Sequence, residues 1–73
     1  MKVKIFYNNN EKSIEVYEKL AKKLENNGVI LDNDNYDYAI AIGGAGAFLR
    51  MVRETNFNSD TLFLGVNTGT LGF

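Results

Sequence analysis

Apolar and charged positions alternate from Lys2 to Ile5 and then close into an unbroken Ile5-Phe-Tyr7 run, the pattern of a strand entering a sheet. Asn8-Asn-Asn10 follows with turn and N-cap chemistry. From Glu11 to Asn27 the apolar residues Ile14, Tyr17, Leu20, Ala21 and Leu24 recur at spacings of three and four, which is one helical stripe. Glu15 with Lys19 and Glu18 with Lys22 fall at i,i+4 on the wet side of that helix. Gly28 stands where a helix C-terminus needs a residue that tolerates positive φ. Val29-Ile-Leu31 reads as a short buried strand, 32–37 as a polar connection, and Tyr38-Ala-Ile-Ala-Ile42 as a buried strand ending abruptly in Gly43-Gly-Ala-Gly46. A second helix is predicted over 47–55 with Phe48 and Val52 on its inner face and Met51 beside them. A loop then leads to the apolar strand Thr61–Val66 and a glycine-punctuated segment, 67–73.

The predicted order is β-α-β-β-α-β in one small domain, 1–73. Unbroken apolar strands alternating with helices predict an α/β fold: a small parallel sheet with helices packed on it, in a Rossmann-like three-layer arrangement. Crossovers between parallel strands should be right-handed. The strands around Ile42 and Leu64 should be neighbours, with both glycine-rich loops at one edge of the sheet.

Composition narrows the chemistry. Of 73 residues none is cysteine and none histidine, which removes disulfides, thiolate nucleophiles, Ser-His-Asp catalysis and His-ligated zinc. Eight Lys/Arg against nine Asp/Glu leave a net charge of −1, with no basic stripe to track a nucleic acid. No apolar run approaches the ~20 residues of a membrane span, and no signal-peptide core is present. These features lead to the expectation of a cytoplasmic domain without a membrane partner.

The acidic stretch Asp32-Asn-Asp-Asn-Tyr-Asp37 invites comparison with a calcium loop. That register needs Gly at its sixth position and Glu at its twelfth, and the chain has Asp37 and Gly43, so a solvated loop is the better reading. Gly43-Gly-Ala-Gly-Ala47 sits between a buried strand and a helix. It reads equally as a phosphate cradle at a helix N-terminus or as a tight turn. Gly65-Val-Asn-Thr-Gly-Thr-Leu-Gly-Phe73 is either a second ligand loop at the carboxyl edge of the sheet or an ordinary exposed loop. The dinucleotide fingerprint fails because Leu49 stands where its last glycine would, and no Gly-Lys-Ser/Thr makes a P-loop.

Together, Ile40-Ala-Ile-Gly-Gly-Ala-Gly-Ala-Phe-Leu-Arg50 and the Gly65–Phe73 segment resemble the N-terminal domain of the NAD kinases, which carry Gly-Gly-Asp-Gly-Thr and Gly-x-Asn-x-Gly-x-Leu-Gly-Phe in these places. The first loop is shared with diacylglycerol kinases, sphingosine kinases and 6-phosphofructokinases; the second singles out the NAD kinases. The resemblance implies phosphoryl transfer from ATP or polyphosphate to the 2′-hydroxyl of NAD, with Mg²⁺ or another divalent cation on the phosphates and none held by this chain's own side chains. It places Ala45 at the position of the family's Asp, the general base, and Ala47 at that of its Thr. Both changes trim a side chain to alanine, the pattern of a deliberate substitution or of a degenerate copy.

By the same resemblance Gly46, Leu49, Arg50 and Phe73 face the dinucleotide, while Gly43, Gly44, Ala47, Asn67 and Gly69 shape the nucleotide loops. Arg50 reads equally as a solvated helix-surface cation. Tyr17 and Phe48 are read as core. The family continues into a β-rich second domain that completes the NAD pocket. The parent is expected to be a homo-oligomeric enzyme, and this chain inactive and prone to self-association around Leu71 and Phe73. A non-catalytic nucleotide-binding or scaffolding module, or a lipid or sugar kinase, is the alternative.

Overall fold

The computed structural model describes residues 1–56 and 58–66. Its elements are β1 (Lys2–Tyr7), α1 (Glu11–Asn26), β2 (Ile30–Leu31), β3 (Tyr38–Ile42), α2 (Ala45–Thr55) and β4 (Leu62–Val66). All four strands are parallel, in the order β2-β1-β3-β4. Alternation along the central strands supplies both faces of the sheet. Val3, Ile5, Ile40 and Ile42 pack under Val16, Tyr17, Leu20, Ala21 and Leu24 of α1. Phe6, Ala39 and Ala41 pack against Ala47 and Met51 of α2. The three-layer α/β arrangement read from the sequence is the one observed.

Helix α1 keeps its expected limits because both ends are written in side-chain chemistry. The Asn10 Oδ1 accepts from the Ser13 N–H at 2.8 Å. At the far end the Val29 N–H donates to the Leu24 carbonyl and the Gly28 N–H to the Glu25 carbonyl, with Gly28 at φ 83°. That pair of bonds is a Schellman closure, and it needs the left-handed residue. Glu15, Glu18, Lys19 and Lys22 are all exposed, and an ion pair on this surface joins Lys12 to Glu15 at 3.9 Å.

Three expectations change. Helix α2 starts at Ala45 rather than Ala47, since a glycine-rich entry carries no capping side chain to mark the boundary. Its buried stripe is Ala47, Met51 and Thr55, and Phe48 is 43% exposed instead of core. Ala39 and Ala41 leave a shallow sheet surface that a helix approaches closely through its own small residues. The strand at Val29–Leu31 shrinks to Ile30–Leu31 at the sheet edge, where Ile30 is 54% exposed rather than buried. On the opposite edge Leu62 and Leu64 are also exposed, because α1 lies over β1, β2 and β3.

The acidic connection closes on itself. The Asp32 Oδ1 accepts from the Asn35 and Asp34 N–H groups at 2.9 and 2.8 Å, and these bonds hold its carboxyl below the usual range. Its support for the turn is therefore present above the ordinary Asp value and is lost as pH falls.

Candidate functional site

A parallel sheet delivers the ends of all its strands to one edge. The chain leaves β1 for α1 on one face of the sheet and leaves β3 for α2 on the other, so the strand order reverses between β1 and β3. The loops diverging there open a crevice, the place where ligands bind in open α/β sheets. Asn8 stands on one side of it and Gly43 on the other. The Asn8 N–H donates to the Ile42 carbonyl at 3.2 Å, and the Gly43 N–H to the Val66 carbonyl at 2.9 Å. The end of β4 thus adjoins the first glycine loop, as expected from the two motifs.

Gly43 has φ 122°, a conformation closed to other residues without strain. Gly44 is the extended N-cap of α2. It offers no side-chain cap, and the first turn of that helix holds no acid. The leading N–H groups of α2 therefore keep their partial positive charge for whatever approaches them. Gly43, Gly44 and Ala45 line an open groove of about 300 Å³ together with Ala41, Phe48, Gly65 and Val66. Among the described residues nothing lies within 4 Å of the place where a Cβ at Gly65 would stand, and at Gly44 the nearest atom, the Asn8 Nδ2, is 4.0 Å away. Backbone donors, small residues and one aromatic wall are a chemistry that can receive an anionic group.

The anticipated site residues separate. Gly43, Gly44 and Ala45 come together at the groove, and Ala45 is exposed. Gly46 is exposed one residue further into the helix, and Leu49 is half exposed on the outer side of α2. Ala47 points the other way, fully buried against Phe6, Ala39 and Ala41. Arg50 reaches back to β1, donating to the Tyr7 carbonyl and lying 3.5 Å from the Asn8 Oδ1. Asn67, Gly69 and Phe73, with Leu71, lie outside the described residues.

Phe48, Asn8 and Ser13 were not anticipated. Phe48 passed for core because of its size. Asn8 had a signal in its position, directly after a strand whose neighbour ends in the glycine loop. A larger hollow of about 860 Å³ flanks β1 where β2 stops short, lined by Arg50, Arg53, Glu54 and Tyr17 among others. Two of its three cations are engaged, Lys4 by Glu54 and Arg50 by the Tyr7 carbonyl, and Glu54 adds a carboxylate to its wall, whereas the first turn of α2 holds no acid. Among the described residues no group of three acidic, His or Cys side chains is placed to hold a metal ion, and no helix is long and apolar enough to cross a membrane.

The chain is 40% identical over 74 aligned positions to an NAD kinase of Pediococcus pentosaceus, an alignment covering all of this chain and 28% of that protein. An NAD kinase of Enterococcus faecalis gives the same identity and coverage, and one of Leuconostoc citreum gives 38% identity with the same coverage. In each case the matching part is the N-terminal part. The whole chain matches the N-terminal region of the NAD kinases. No protein-family model matches it. The chain spans a little over a quarter of the length of these NAD kinase relatives, so it corresponds to the opening α/β part of such a protein. Set against the NAD kinase pattern, Ala45 is the residue at the mouth of the groove and Ala47 the one beneath the helix.

Proposed function

We propose that this chain forms the phosphate-facing part of an NAD kinase, the enzyme that transfers a phosphoryl group from ATP or polyphosphate to the 2′-hydroxyl of NAD, and that Ala45 leaves it catalytically silent. The observation that carries the reading is the uncapped start of α2 at the switch point of the sheet, in a chain 40% identical throughout to NAD kinases. Phosphoryl transfer rests on positioning and charge stabilisation, and backbone donors at a helix N-terminus supply part of both.

Ala45 is the first residue of α2 and is exposed. A carboxylate there would sit at the positive end of the helix, be ionised at neutral pH, and have room to take a proton from a ribose hydroxyl. Alanine accepts none. The burial of Ala47 favours the loss of the base, rather than of the family's threonine hydroxyl, as the decisive change. The described side chains around the groove are Ala41, Ala45, Phe48 and Val66, with no carboxylate among them. Mg²⁺ is commonly held by one or two carboxylates plus substrate phosphates, so these residues do not fit it. A second reading, a nucleotide-binding module without chemistry, is favoured by the same pairing of an intact glycine loop with Ala45.

The test uses four proteins: this chain, and this chain fused to the remainder of the Enterococcus faecalis relative, each as it stands or carrying Ala45→Asp with Ala47→Thr. Neither form of the 73-residue chain should make NADP, and the fused protein with both substitutions should make it roughly 10²–10⁴-fold faster than the unsubstituted fusion. NADP from the 73-residue chain, or a folded but silent substituted fusion, contradicts the proposal.

A further inference from the structure

We infer that Asn8 is a positioning residue for the glycine loop, an assignment that rests on reading the start of α2 as a phosphate site. Its carboxamide lies across the crevice between β1 and β3. A Cβ added at Gly43 would meet the Asn8 Nδ2 at 2.6 Å and Cγ at 3.0 Å, and the Ser13 Oγ at 3.0 Å. A Cβ at Gly46 would meet the Asn8 Oδ1 at 3.1 Å. Gly43 and Gly46 are therefore closely backed by the protein's own side chains, while at Gly44 the same Asn8 Nδ2 stands off at 4.0 Å.

Asn8 is itself held at its backbone and approached at its side chain. Its backbone N–H is bound to the Ile42 carbonyl, the residue just before the loop. The Arg50 guanidinium, from the second turn of α2, lies 3.5 Å from its Oδ1 and is anchored on the adjoining Tyr7 carbonyl. Buried Ser13, on α1, stands beside the same glycine, its Oγ 3.0 Å from where a Cβ at Gly43 would be. One side chain thus ties the end of β1, the turn after β3 and the first turns of α2, which sets where the free N–H groups of α2 point. Donors aimed in advance serve a charged ligand better than donors that must reorganise. This also gives Arg50 a role in the site without touching the ligand.

A thermal-unfolding cycle on the chain tests this with Asn8→Ala, Gly46→Ala and both together. Gly46→Ala should lower the melting temperature by about 5 °C, although alanine is the better helix former, and the double variant should recover most of that loss. Amide resonances of Gly43 to Ala47 should move in Asn8→Ala and stay close to their original places in Asn8→Asp, which keeps the shape and the acceptor for Arg50. Pyrophosphate, as the probe, should bind several-fold more weakly to Asn8→Ala. An equal loss from Gly46→Ala whether or not Asn8 is present, or loop amides indifferent to Asn8→Ala, overturns the assignment. Pyrophosphate bound by no variant while the coupling persists overturns instead the phosphate reading of the loop. If Gly46→Ala alone fails to fold, recovery of folding in the double variant still reports the coupling, and its absence speaks against it.

Discussion

Helices α1 and α2 both start at the carboxyl edge of the sheet, on opposite faces, yet they start differently. Helix α1 opens on Asn10, whose side chain accepts from the Ser13 N–H, and Glu11 adds a negative charge to its first turn. Helix α2 opens on Gly44 with neither a capping side chain nor an acid. The positive end of α1 is answered within the protein, whereas that of α2 is left to something outside it. The packed faces differ in the same sense. Helix α1 rests on the sheet through half-buried leucine and tyrosine, while α2 settles closely on it through Ala47 and Met51, bringing its start down beside Gly65. The contrast separates a helix that serves stability from one whose first turn serves a ligand.

Four changes probe that contrast. In the fused protein, Ala45→Asp alone should raise NADP formation by roughly 10²–10⁴-fold, the usual worth of a general base, as read by a coupled dehydrogenase assay. Ala47→Thr should act on stability instead. Placing a larger, hydroxyl-bearing side chain in a fully buried site costs about 1–3 kcal/mol, measurable by urea denaturation of the chain. An unchanged midpoint would mean that α2 sits less tightly on the sheet than described. Asn10→Ala should cost about 1 kcal/mol in the same experiment and leave pyrophosphate binding untouched, since that cap serves α1 alone. Gly44→Ser should have the smallest effect on stability, a gain of a few tenths of a kcal/mol, because serine caps slightly better than glycine. It should also weaken pyrophosphate binding by occupying the donors, and a tighter complex would count against the open cap as the binding feature.

Where side chains mark a boundary, the sequence was readable. The Asn10 cap and the Gly28 closure place α1 within a residue, and unbroken apolar runs identify the two central strands. The start of α2 was less legible because glycines tolerate turn and helix alike. Size misled at Phe48, where the deciding fact was the alanine surface of β3: Ala39 and Ala41 call for small partners, and Ala47 meets them. The edge strand at Val29–Leu31 read as buried because apolar composition alone does not tell a central strand from an edge one. The motif pointed to Gly43, Gly44 and Ala45, which the structure brings together at one groove, and the resemblance pointed to Arg50. Asn8 was not legible, nor was its contact with Arg50, since that contact spans 42 positions of sequence and depends on β1 and β3 being neighbours.

The most direct measurement is a pyrophosphate titration of the ¹⁵N-labelled chain, following the amides at the starts of both helices in one spectrum. Residues Gly44 to Ala47 should shift together and saturate, while Glu11, Lys12 and Ser13 stay in place. Equal shifts at the two helix starts, or movement at Glu11 to Ser13 without movement at Gly44 to Ala47, would contradict the assignment of α2 as the ligand-facing helix.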